Sequence, residues 1–129
     1  MSGKFLLDTN IVIALFQADI PLQKNLAKAE QVFLSSTIVG ELYYGAYKSG
    51  RVAANLERIE KFVADNTVLQ CDIVTAQLYG QIKNSLKLKG RPIPENDIWI
   101  AAIALQYHLT LVSRDQHFQE IHGLAVETW

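Results

Sequence analysis

Short apolar runs alternate with longer stretches of helical periodicity along the whole chain. FLL (residues 5–7) predicts a first strand, and the DTN that follows it offers three N-cap candidates for a helix over residues 11–17. A short helix is expected over 24–30, and QVFLS (31–35) reads as a second strand. Ser36 and Thr37 open a helix that runs toward Ser49 and Gly50, where glycine suits a C-terminal stop. Residues 51–65 are amphipathic, with Leu56, Ile59, Phe62 and Val63 on one face.

TVLQC (67–71) reads as a third strand, and Asp72 caps a helix through about residue 87 that carries Leu78, Ile82 and Leu86 at helical spacing. Two prolines and a glycine make 90–94 a loop. The next helix, 95 to about 108, contains eight consecutive apolar residues from Ile98 to Leu105, directly behind Asp97. A helix that is apolar all round belongs in the interior, so Asp97 stands where the chain enters the core. LTLVS (109–113) is a fourth strand, RDQHFQEI a short helix and LAVETW a last strand. Helices between strands imply an α/β fold with a largely parallel sheet of four or five strands, whose ligands gather at the carboxyl ends of the strands.

Composition narrows the class. The 129 residues suit a single domain, 1–129, with no linker or repeat to divide it. Half the residues are hydrophobic and 19% are charged, which marks a folded globular chain. The net charge of −1 excludes a wholly basic surface, so a polyanionic partner must be held by a local patch. Cys71 is the one cysteine, so no internal disulfide forms, and it reads as a small buried hydrophobe. MSGKFLLDTN lacks the apolar region of a signal peptide, and no run approaches the ~18 residues of a membrane span. These features place the chain in the cytoplasm, with no membrane partner.

The acids carry the chemistry. Asp8 follows the first strand and Asp115 lies two residues beyond the fourth; each also suits a helix cap. Glu41 shares a helix face with Ile38, Leu42 and Gly45, and Asp97 leads into a buried face through Ile100 and Ala101. If these four converge, repulsion and desolvation make the cluster costly without a cation. Oxygen donors select a hard ion, Mg²⁺ or Mn²⁺. His108, His117 and His122 have no metal-ligand spacing and read as structural or surface residues.

Four blocks, LLDTN, STIVGELYYG, NDIWIAAIAL and LVSRDQHF, stand in an order and at intervals that resemble the PIN-domain nucleases, most closely the VapC-type toxins of toxin–antitoxin pairs. The resemblance implies a three-layer PIN-like fold and a Mg²⁺- or Mn²⁺-dependent endoribonuclease that cleaves structured RNA such as tRNA. Asp8, Glu41, Asp97 and Asp115 match its acidic metal site, with Asp8 as the central ligand; Asn10 and Ser113 match polar positions that support it. Many relatives carry a further acid two residues after the last aspartate, where this chain has His117. The resemblance also implies a homodimer and a cognate antitoxin of the VapB type lying over the active site.

A site of four carboxylates repels RNA until a cation fills it, so positive charge must come from elsewhere. KNSLKLKGR supplies Lys83, Lys87, Lys89 and Arg91 just ahead of Asp97, and Arg114 stands beside Asp115. These suit either phosphate contacts or solvated helix ends and loops. Tyr43, Tyr44 and Tyr47 suit base stacking or packing. Leu42, Tyr43 and Tyr47, and Leu56, Ile59 and Val63, suit either apolar surface for a partner or core packing, with core packing expected for at least half of them. Two rivals differ in class: a receiver-like phospho-acceptor, which wants a paired acid after its first strand, and a PIN-like binding module without activity. DTN does not supply that pair.

Overall fold

The computed structural model describes residues 3–129; Met1 and Ser2, the start of the stretch read as leader-free, lie outside the described residues. Five strands form one wholly parallel sheet: β1 (Lys4–Leu7), β2 (Gln31–Ser35), β3 (Thr67–Leu69), β4 (Thr110–Val112) and β5 (Val126–Glu127), in the order β3-β2-β1-β4-β5. Helices α1 (Thr9–Phe16) and α2 (Ile20–Lys28) join β1 to β2, and α3 (Ser36–Lys48) and α4 (Val52–Ala64) join β2 to β3. Helices α5 (Ile73–Lys89) and α6 (Glu95–Gln106) carry the chain back across the sheet to β4. Right-handed crossovers running in opposite directions from β1 put the two groups of helices on opposite faces, giving three layers. The direction reverses between β1 and β4, and the crevice at the carboxyl ends of those two strands is the ligand position of such sheets.

The centre of the sheet is apolar on both faces, as a covered parallel sheet requires. Phe5, Leu6 and Leu7 of β1 and Leu111 and Val112 of β4 are all buried. Against them lies α6, whose Ile98, Ile100, Ala101, Ala102, Ile103 and Ala104 are buried, as the eight-residue apolar run predicts. Its alanines let the helix lie close to its neighbours. Asp72 and Thr75 form a reciprocal capping box at the start of α5, and Gly90 ends that helix in the left-handed region (φ 67°).

Three local expectations are corrected. The second helix begins at Ile20, well before residue 24, because Asp19 caps it and Pro21 occupies the first turn, where no backbone N–H is needed. The segment after β4 is a 3₁₀ turn over Gln116–Glu120, held by Asp115 at its start. Cys71 is exposed, since β3 ends at Leu69 and leaves it on the segment leading to the Asp72 cap. Core packing accounts for most of the apolar set: Leu42 and Ile59 are buried in the core and Tyr43, Leu56 and Val63 pack against it, whereas Tyr44, Tyr47, Ile73 and Leu88 are exposed.

Candidate active site

Asp8 leaves the end of β1 and caps α1, its Oδ1 accepting the Thr9 N–H at 2.8 Å. Its other oxygen, Oδ2, accepts the Ser113 hydroxyl at 2.7 Å, beyond the end of β4. Ser113 Oγ in turn accepts the Asp115 backbone N–H at 3.0 Å, so one buried hydroxyl ties the first and last acids together. The backbone repeats the link, with the Asp8 N–H donating to the Val112 carbonyl at 3.0 Å.

Glu41 projects from α3 and is held on both oxygens: the Thr9 hydroxyl donates to Oε1, and the Asn96 amide donates to Oε2 at 3.2 Å. Asp97 stands in the first turn of α6 with its side chain only 13% exposed. Its Oδ2 lies 2.9 Å from His117 Nδ1, which is also 3.0 Å from Asp115 Oδ1. The end of β1, the second turn of α3, the first turn of α6 and the start of the 3₁₀ turn thus bring all four predicted acids together.

The electrostatics follow from that convergence. Burial, above all, pushes the Asp8 carboxyl up to about 6; its bonds from Ser113 and Thr9 pull it down, and the charges of Asp97 and Glu41 add to the rise. Asp97 is raised too, first by burial, with the His117 bond opposing and the charges of Asp115 and Glu41 assisting. His117 is raised, chiefly by its bond to Asp97.

Residues 5–124 match the PIN-domain family. The chain is 39% identical to ribonuclease VapC2 of Haemophilus influenzae over 98% of both chains. It belongs to the VapC ribonucleases of the PIN-domain family. It is also 37% identical, over 98% of each chain, to the tRNA(fMet)-specific endonuclease VapC of Shigella flexneri. Its fold matches that of VapC in the VapBC2 complex of Rickettsia felis, solved bound to a DNA fragment from the promoter, with a TM-score of 0.90 and 29% identity over 98% of both chains.

The donor set suits the hard divalent cation expected of a PIN domain: carboxylate oxygens, partly desolvated and mutually repelling, are the chemistry such an ion neutralises. Of the supporting residues, Ser113 bonds directly to Asp8, while Asn10 Oδ1 accepts the Arg114 backbone N–H at 3.3 Å and so ties α1 to the segment after β4. His117 is a surface residue, as expected, but its half-exposed ring also brings Nδ1 into the acid cluster. Sequence spacing to another His or Cys could not find it, since its neighbours here are carboxylates. Thr9 and Asn96 were also missed; their one sequence signal is adjacency to Asp8 and Asp97.

The cations divide into engaged and available groups. Lys83 pairs with Glu95 at 3.0 Å, and Lys89 donates to the Glu120 carbonyl. Arg114 is held by Asp19 at 3.0 Å and by the Trp129 carbonyl at 3.0 Å. Arg91 lines an open cleft of about 310 Å³ together with His117, and Lys87 is exposed. A second cleft, about 290 Å³, runs from Glu41 past Phe16, Leu42 and Ala46 to Arg58 and Ile59.

Proposed function

We propose that the protein is a Mg²⁺- or Mn²⁺-dependent endoribonuclease toxin that hydrolyses phosphodiester bonds of structured RNA such as tRNA. The observation that carries this reading is the meeting of Asp8, Glu41, Asp97 and Asp115 at one crevice, with the Asp8 carboxyl raised to about 6 by burial. Asp8 would be the central ligand, Glu41 and Asp97 would hold one ion, and Asp115 would help to hold that ion or a second, or orient the attacking water. When bound, the ion lowers the pKa of water and neutralises charge developing on the phosphate. The chain's own part is positioning: Ser113 fixes Asp8 against Asp115, and Thr9 and Asn96 fix both oxygens of Glu41. Arg91 and Lys87 draw the RNA backbone toward the cleft beside His117, while Lys83, Lys89 and Arg114 chiefly brace the loops around it.

A VapB-type antitoxin is the proposed partner, as in the Rickettsia felis complex, seated in the cleft that starts at Glu41 and carries both apolar side chains and Arg58. Homodimerisation is proposed through the apolar side chains that remain exposed, Ile73 and Leu88 among them. No described helix is long and apolar enough to cross a membrane, and the reading places the toxin with its RNA in the cytoplasm.

The direct test is Asp97→Asn, which alters one ligand without changing side-chain size. RNA cleavage should fall by at least about 10²-fold while the circular dichroism spectrum is unchanged. Full activity in this variant would remove Asp97 from the site.

A further inference from the structure

We propose that His117 is a nitrogen ligand to the ion held by Asp97 and Asp115, and that it shifts the preference of this site from Mg²⁺ toward Mn²⁺. The inference rests on the metal-dependent reading above and specifies its ligand set.

The first support is distance. Two atoms bound to one ion at about 2.1 Å and about 90° to each other stand about 3.0 Å apart. His117 Nδ1 lies 2.9 Å from Asp97 Oδ2 and 3.0 Å from Asp115 Oδ1, and one ligand atom from each of the three residues lies within 4.8 Å of the others. The two His117 spacings are those of neighbouring corners of a coordination polyhedron.

The second support is how the ring is placed. Asp115 Oδ1 accepts the His117 backbone N–H at 3.0 Å, which fixes the chain direction at the start of the 3₁₀ turn. Phe118, the next residue, is fully buried and anchors the turn in the core. His117 is therefore presented from a backbone pinned on both sides, with its Nδ1 already among the oxygens. Both neighbours only accept hydrogen bonds, so Nδ1 carries a hydrogen when no ion is there. Ligation would need the neutral ring with its hydrogen on Nε2: an imidazolium would give its Nδ1 proton to solvent, and a neutral Nδ1–H ring would move its hydrogen to Nε2, freeing the Nδ1 lone pair.

Selectivity follows from the donor type. An imidazole brings no negative charge, which weakens the attraction for strongly hydrated Mg²⁺, and it offers a nitrogen that first-row transition ions accept more readily. Asp in place of His117 would make the site all oxygen and reverse the bias.

The test is pulsed electron paramagnetic resonance of Mn²⁺ added to the full chain. The expected spectrum shows a ¹⁴N coupling that changes when histidine is labelled with ¹⁵N and disappears in His117→Asp, which still binds Mn²⁺ through oxygen. Displacing the bound Mn²⁺ with Mg²⁺ gives the ratio of the two dissociation constants, and His117→Asp should move that ratio about tenfold in favour of Mg²⁺. Mn²⁺ bound without nitrogen coupling in the unaltered protein, or an unchanged ratio in His117→Asp, would overturn the role of His117 and leave the metal-dependent reading standing. Failure of Mn²⁺ to bind at all would overturn both.

Discussion

Asp8 is buried, ionisable and bonded on both oxygens, and these properties pull against one another. Its carboxyl is raised from 3.8 to about 6, so ionising it opposes folding. That cost is absent below the unfolded value, grows as pH climbs through the interval and is complete above about 6, where it amounts to at most about 3 kcal/mol. Asp8→Asn keeps the cap to Thr9 and removes the charge. In EDTA at pH 8 the variant should therefore be more stable than the parent by about 1–2 kcal/mol in urea unfolding, with the difference vanishing near pH 4. A variant less stable at pH 8 would show that the lost Ser113 bond outweighs the burial penalty. An acid whose removal stabilises the fold is one retained at the expense of stability.

Among the elements, α6 anchors Asp97 to the core. Ile100 is fully buried in it, three residues beyond Asp97, and Ile100→Ala should cost about 2–5 kcal/mol in chemical denaturation. Glu57→Ala on α4, where the side chain is exposed, should change stability by less than about 0.5 kcal/mol. Equal losses at the two positions would contradict the assigned core. The apolar run behind Asp97 made α6 legible from sequence, and DTN announced both the end of β1 and the cap of α1. The 3₁₀ turn was less legible because its five residues are too few to show a period. So His117 could be seen only as a residue near a turn, although folding sets its ring between two carboxylates. Asp19 and Pro21 were an available signal for the start of α2, overlooked because proline reads as a breaker before its place in the first turn is known.

For the whole molecule, the alternation of strands and helices was enough to predict the parallel sheet, and the blocks around the four acids carried the family resemblance. The reversal between β1 and β4 was not legible, because strand order depends on contacts between distant segments. It is this reversal that lets Asp8 and Ser113, 105 residues apart, share a hydrogen bond. Surface charge was readable as composition but not as pairing: Lys83 and Arg114 turn out to be bound to acids within the fold. Replacing Lys87, Lys89 and Arg91 together by Ala should weaken RNA binding and lower the slope of log affinity against log salt by about 1–2, measured by filter binding across a salt series. An unchanged slope would place the RNA backbone elsewhere.

The central claim is that the converging acids work through a divalent cation, and one measurement reaches it directly. Purified protein is given a structured RNA in excess EDTA, and then again after Mg²⁺ or Mn²⁺ is restored beyond the chelator. No cleavage is expected in the first condition and recovered cleavage in the second; cleavage that persists in EDTA would show that the acids do not work through a divalent cation.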